Sequence, residues 1–424
     1  MIGDDAASGA GPRRARSPSC LPSSTTLTSR STPTASHASI TTAEQLSSYC
    51  EQLARAKQIA FDTEFVSERT YRPVLCLVQV VADGELALID PLAIKDLAPF
   101  WEAVSRPGHE TIVHAGRGEL EFCLQSVGRP PAELFDVQIA AALAGIEYPA
   151  GYGTLIAKLL GETPNKAETR TDWRRRPLSR RQIQYALDDI RHLPPIRDKL
   201  YARLTALGRL GWVREEMAAW QEEVQWAMSQ DRWRRVSGNT GLASRSLAIV
   251  RELWRWREAE AQRRNCPPRR VLRDDLVIEL AKRQSADVKR IEAVRGLDRG
   301  DLKRQLSKIA GAIQRGLELA EDDCPQAVRH ETTPQLSVLG QFLFSALGSV
   351  CRQLELAPPL VGSPSDIRDW IAYRMGQPGS RRLPRLARGW RAEVVGHLFD
   401  DLLAGRLAVR VGDPQSESPL VLEG

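Results

Sequence analysis

Several features that would assign the chain quickly to a class are missing. Nowhere in its 424 residues is there a run near the roughly 18 apolar residues of a membrane helix, so no membrane partner is expected. Cysteine is sparse: the seven, at positions 20, 50, 76, 123, 266, 324 and 351, form no Cys-x-x-Cys pair and keep no regular spacing. That argues against a disulfide framework or a thiolate zinc site and fits reduced thiols in a cytoplasmic protein. The six histidines are dispersed, so no imidazole cluster competes for a metal. Neither a Gly-x-x-x-x-Gly-Lys-Ser/Thr phosphate loop nor a Gly-x-Ser-x-Gly elbow is present.

What is present reads as soluble and globular, with 42% hydrophobic and 26% charged residues, and the length asks for two or three domains. The formal net charge is +6, carried largely by arginine, whose planar fork of donors suits phosphate. Such an excess permits a nucleic-acid partner without demonstrating one.

Residues 1–40 are rich in Ser, Thr, Pro, Ala and Arg, and a disordered tail is expected there. Their Arg/Ser/Thr content loosely resembles a transit peptide, against which stand Asp4, Asp5 and the lack of an amphipathic stripe. From 41 to 212, strand-like runs ("IAFDTEF", "VLCLVQVV", "LALID", "ETIVHA") precede helical patterns, with Thr42 as a cap and Asp83-Gly84 as a hairpin turn. Strands first and helices after predict an α/β layer with a mixed sheet flanked by helices. Residues 213–239 read as a connecting helix and linker. Two small all-α units are expected at 240–320 and 334–412, and 413–424 reads as a second tail.

The chemistry begins at "FDTEF". A strand alternates its side chains, so Asp62 and Glu64 project from the same face, and two like charges there need neutralising. A solvated strand end would produce the same spacing. Tyr185 and Asp189 in "QYALDDI" are four apart on a helix and share a face. Asp188 lies off that face. Acidic groups gathered from different elements suit a hard cation such as Mg²⁺, and two such ions can promote phosphodiester cleavage.

These segments, together with "HAGRGELEFCL", "FDVQIAAAL" and "ETRTDWRRRPLSRRQIQYALDDIRHLPPI", occur in the order seen in ribonuclease D, a family of the DEDD exonuclease superfamily. Residues 41–212 resemble its ribonuclease-H-like 3′→5′ exonuclease domain. The C-terminal half resembles two helicase-and-ribonuclease-D C-terminal (HRDC) domains. The resemblance implies a 3′→5′ exoribonuclease that uses two divalent cations (Mg²⁺ or Mn²⁺), releases nucleoside 5′-monophosphates and processes RNA 3′ ends such as those of tRNA precursors. No obligate protein partner follows from it. It implies Asp62, Glu64 and Asp189 as metal ligands and Tyr185 as the residue that positions the attacking water.

At the family's second motif an aspartate is usual, and the ungapped position here is Glu119. The extra methylene leaves three readings: Glu119 does the work, activity is reduced, or the metal preference shifts toward Mn²⁺. An RNA-binding protein with weakened catalysis is the corresponding rival function, and a DNA 3′→5′ exonuclease is a second, since the motif set does not itself distinguish ribose from deoxyribose. Glu121 would serve only if the helix slipped, and Asp136 matches a family position but reads as holding a helix start.

Residues 165–185 carry seven Lys/Arg against two acids, just before the Tyr185 helix. Lys166, Arg170 and Arg174 are the expected phosphate contacts, a solvated charge run being the alternative. Trp173 would either stack on a base or pin this loop to the core.

Overall fold

The computed structural model describes residues 36–163, 171–326, 334–376 and 383–424. Strand β1 (Ala38–Ile40) precedes α1 (Ala43–Leu53). Thr42 starts that helix with a reciprocal cap: its side chain accepts from the Gln45 N–H, and the Gln45 side chain accepts from the Thr42 N–H. Residues 38–40, expected in the disordered tail, are therefore structured; Ile40 is buried and the strand pairs with the sheet's edge. Strands β2 (Gln58–Val66), β3 (Val74–Ala82) and β4 (Glu85–Ile89) follow. The β3–β4 turn is the expected Asp83-Gly84, with φ of 46° and 90°, a backbone that glycine and aspartate tolerate. Then come α2 (Ala98–Ser105), β5 (Glu110–Val113), α3 (Arg117–Val127), β6 (Leu134–Asp136) and α4 (Val137–Leu143). Helix α5 (Tyr152–Leu155) runs into a π-helical turn at Ile156–Leu160. Helices α6 (Arg180–Arg191), α7 (Leu193–Ala206) and α8 (Leu210–Ser229) complete the module.

The sheet order is β1-β4-β3-β2-β5-β6, mixed as expected. Ile59 and Phe61 of β2 pack toward α1 and α2, and Ala60 packs on the opposite face with α4 and α7. Register decides where the site can form. Strand β5 pairs with β2 only at Gln58, Ile59 and Ala60. Strand β3 continues alongside, opposite Asp62 and Glu64, up to a bulge between Glu64 and Phe65. From Asp62 onward, β2 thus has an open edge on its β5 side.

The first helical unit is built from α9 (Ser244–Arg264), α10 (Pro268–Val271), α11 (Asp274–Arg283), α12 (Val288–Glu292), α13 (Gly300–Lys303) and α14 (Leu306–Glu318). It has its own core, including Leu247, Leu253, Val277, Ile309 and Ile313. Trp254 and Trp256 are both half-buried against that core. It touches the exonuclease-like module where the Tyr71 N–H donates to Asn265 Oδ1 at 3.3 Å.

The second unit comprises α15 (Pro334–Gln353), α16 (Pro358–Val361), α17 (Pro364–Arg374), α18 (Gly389–Arg391) and α19 (His397–Leu403). Its helices are followed by β7 (Ala408–Val411) and β8 (Leu420–Glu423), which pair antiparallel. The segment 413–424, expected as a tail, therefore includes a strand. Ser349 of α15 donates to the Leu420 carbonyl at 2.8 Å, and Leu422 packs on the core.

This second unit is not an appendage. Leu343, Leu347, Trp370 and Trp390 belong to the same continuous core as Ala140, Leu143 and Leu200. Buried Arg209 donates to the carbonyls of Leu143 and Glu355, both at 2.9 Å, which fastens the end of α4 to the residues after α15. On α8, buried Glu216 accepts from Arg391 (2.5 and 2.7 Å), Arg385 (3.1 Å) and the Trp390 indole (3.0 Å). Burial alone would push the Glu216 carboxyl up, but Arg391, Arg385 and Trp390 hold it below the usual range.

Removing Glu216 strands the buried Arg391 guanidinium, so Glu216→Ala is expected to cost about 3–5 kcal/mol in urea unfolding at neutral pH. Because the folded carboxyl is depressed, its contribution is full above the unfolded glutamate value, about 4.3, and is lost as pH falls through the lower folded value. Glu216→Gln should lack that acid-sensitive component of stability, and a wild-type acid profile in Glu216→Gln would contradict the assignment.

Candidate active site

The open edge of β2 carries Asp62 and Glu64. Helix α6 faces it, started by a Ser179–Gln182 reciprocal cap and seated by Ala186, Leu187 and Ile190. The expected trio converges: carboxylate oxygens of Asp62, Glu64 and Asp189 all lie within 4.8 Å of one another, each residue partly buried. The hydroxyl of Tyr185, one turn before Asp189, donates to it. Asp188 points elsewhere and accepts from Gln184 at 2.7 Å and Arg191 at 3.0 Å.

Glu119 enters from the other side. The turn between β5 and α3 puts Ala115 at φ 51° and brings Gly116 so close to Val113 that a Cβ would sit 2.4 Å from its methyl. Asp136 holds the turn, accepting from the N–H groups of Ala115 (3.2 Å), Gly116 (2.9 Å) and Gln138 (2.8 Å). Its structural role is thereby visible, since the same carboxylate caps α4. Three residues after Gly116, Glu119 is buried and accepts from the Thr63 hydroxyl at 2.5 Å. It is not one of the trio, yet its charge is the largest that Asp62 feels from any neighbour. Glu121 is paired with Arg117 at 3.0 Å on the surface.

Crowded negative charge sets the electrostatics. Asp62 is raised well above the carboxylate range by burial, then by Glu119, Asp189 and Glu64. Glu64 is pushed up to about 8 by burial, Asp189 and Glu119. Asp189 is pushed up to about 7, burial outweighing the Tyr185 hydrogen bond. No Lys or Arg among the described residues forms an ion pair with any of the four. Hard oxygen donors, like charge and the lack of a protein cation fit a divalent metal ion.

Around the trio stand residues that pattern reading missed. The Tyr152 hydroxyl donates to the Asp188 carbonyl at 3.3 Å, its ring between His114 (5.5 Å) and His192 (6.4 Å). No local motif marks Tyr152, which reaches α6 only through the fold. Thr63 lies inside "FDTEF" but on the opposite face of the strand from the two carboxylates, and only the fold brings Glu119 to its hydroxyl.

Of the expected phosphate contacts, Lys166 and Arg170 lie outside the described residues. Arg174 is exposed and forms a bidentate pair with Asp172 at 2.9 and 3.0 Å. Trp173 pins its loop to the core: it is 6% exposed, packs with Cys76, Leu77 and Leu187, and stands 5.9 Å from the Tyr185 ring. Arg176 also serves the fold, gripping Asp90 and the Cys76 carbonyl at 2.7 Å.

Known proteins share this arrangement across most of the chain. Residues 37–205 match the 3′-5′ exonuclease family and residues 246–313 the HRDC domain family. Ribonuclease D of Gluconacetobacter diazotrophicus is 36% identical over 376 residues, covering 88% of this chain and 94% of that protein. Ribonuclease D of Escherichia coli is 31% identical over 366 residues, covering 86% and 97%. The crystal structure of the Escherichia coli enzyme, described as an exoribonuclease involved in structured RNA processing, superposes with a TM-score of 0.78 at 30% identity, covering 88% of this chain and 99% of that one. With the acidic notch, the exonuclease sheet and the helical units all inside the matched length, the chain belongs to the ribonuclease D family and is a 3′→5′ exoribonuclease.

Proposed function

We propose that the chain trims RNA from the 3′ end, releasing nucleoside 5′-monophosphates, with two divalent cations (Mg²⁺ or Mn²⁺) held by Asp62, Glu64, Glu119 and Asp189. The observation that carries this reading is the convergence of Asp62, Glu64 and Asp189 at the open edge of β2, with the Tyr185 hydroxyl on Asp189. When bound, the cations supply the positive charge that activates water and stabilises the leaving oxygen. Tyr185 holds the attacking water in line. Burial and the nearby Asp189 and Glu64 charges push its phenol above the ordinary tyrosine range, so it stays protonated and acts as an orienting hydroxyl rather than a base. Arg174, with Lys166 and Arg170 on the same basic segment, meets the backbone phosphates behind the scissile bond. The 3′ ends of structured RNAs, tRNA precursors among them, are the proposed substrates.

The test is digestion of a 5′-labelled single-stranded RNA and its DNA counterpart with Mg²⁺, Mn²⁺ or EDTA. One-nucleotide shortening of RNA with either metal is expected, and none with EDTA. Asp62→Ala should lower the rate by on the order of a hundredfold or more, since several kcal/mol of charge stabilisation is lost. Metal-independent trimming, or equal rates for Asp62→Ala and wild type, would refute the mechanism; faster DNA trimming would reassign the substrate.

The same crowding has a stability consequence. In EDTA, Asp62→Asn is expected to melt higher than wild type, by roughly 1–2 °C for about 1 kcal/mol of relieved repulsion in a unit this large. Added Mn²⁺ should raise the wild-type melting temperature more than that of the variant. A lower melting temperature for Asp62→Asn in EDTA would show that the carboxylates are not in conflict.

A further inference from the structure

Glutamate at position 119 carries one methylene more than the family's usual aspartate, and Thr63 is where that length goes. Thr63 sits between Asp62 and Glu64 but faces the opposite side of β2, toward the start of α3. Pairing with β5 stops at Ala60, so no β5 partner faces the Thr63 backbone. Glu119 meets a donor there: the Thr63 hydroxyl lies 2.5 Å from Oε1. Thr63 and Glu119 are both about 6% exposed, so water does not supply this bond. The tether coincides with the exclusion of Glu119 from the Asp62–Glu64–Asp189 trio and its placement as Asp62's strongest charged neighbour.

We infer that Thr63 is a positioning residue: its hydroxyl tethers the Glu119 carboxylate, so that the longer side chain sets its charge beside Asp62 rather than crowding the trio. This rests on the proposed role of Glu119 as a cation ligand. A hydroxyl that merely satisfied a buried group would affect stability but not metal binding.

The experiment is a Mn²⁺ titration of the full chain by electron paramagnetic resonance without RNA, alongside the metal dependence of RNA trimming and the KM for RNA. Thr63→Val keeps shape and β-branching and loses only the hydroxyl; it should weaken Mn²⁺ binding about tenfold, the low end for outer-shell partners of metal ligands, with KM for RNA within about twofold. Thr63→Ser retains a hydroxyl and should bind Mn²⁺ nearly as wild type. In a Glu119→Asp background the shorter carboxylate does not reach Thr63, so adding Thr63→Val should cost less than about twofold. Wild-type Mn²⁺ binding by Thr63→Val, equal weakness of Thr63→Ser, or a full penalty in the Glu119→Asp background would each overturn the inference. Glu119→Gln separates the two readings. Weakened binding there beside an unaffected Thr63→Val leaves the ligand role standing and removes only the tether. Unchanged binding by Glu119→Gln removes the ligand role, and the tether's function with it.

Discussion

Three carboxylates sharing a partly buried notch repel one another, and no Lys or Arg among the described residues forms an ion pair with them. Everything around the notch serves to hold that conflict in place. Asp62 and Glu64 are fixed by β3, which pairs along β2 opposite both, while α6 delivers Asp189 on a helix locked by its cap and its apolar face. Left to itself, the arrangement would relax by protonation, which is why Glu64 and Asp189 rise to about 8 and about 7. A divalent ion resolves the conflict without protons, so the cost of assembling the notch becomes affinity for metal.

Holding the notch requires more than the exonuclease sheet. The π-helical turn after α5, α7 and α8 bury their apolar sides in a core shared with the second helical unit, and the Glu216–Arg391 contact and Arg209 close the seam. The first unit instead has a core of its own. The two units follow each other in sequence yet stand in different relations to the catalytic module: one completes its core, the other is joined through α8 and polar contacts such as Tyr71–Asn265. Buried ion pairs add little net stability over apolar packing but penalise any misplacement of their partners. That suits a seam whose register transmits to α8 and, through it, to the sheet.

Most of this was legible in the sequence where local rules act. The helices 244–264 and 274–283 follow their apolar periodicity residue for residue, and the Thr42 cap and the Asp83-Gly84 turn are where their side chains demand. Strand and helix periods fix which residues share a face, so the pairing of Asp62 with Glu64 and of Tyr185 with Asp189 is readable locally. The sequence was less informative where nonlocal contacts decide. Residues 38–40 and 420–423 are too short to declare themselves as strands without the partners that bury them. The span 299–319 reads as one helix but breaks into α13 and α14. Tyr152 reaches Asp188 across 36 residues of chain, and no spacing rule covers that.

The four acidic residues are not equivalent, and the difference lies in who donates to them. Asp189 has the Tyr185 hydroxyl, and Glu119 has the Thr63 hydroxyl. Each of these carboxylates is partly compensated by a neutral donor that moves no charge. Among the described residues, Asp62 has a backbone contact at Thr63 against three carboxylate neighbours, and burial, Asp189 and Glu119 all push Glu64 up. Like-charge crowding is therefore greatest at the two strand residues, between the better-supported carboxylates from α3 and α6. The Glu119 carboxylate is turned toward the Thr63 hydroxyl, whose side chain lies on the other face of β2 from Asp62 and Glu64.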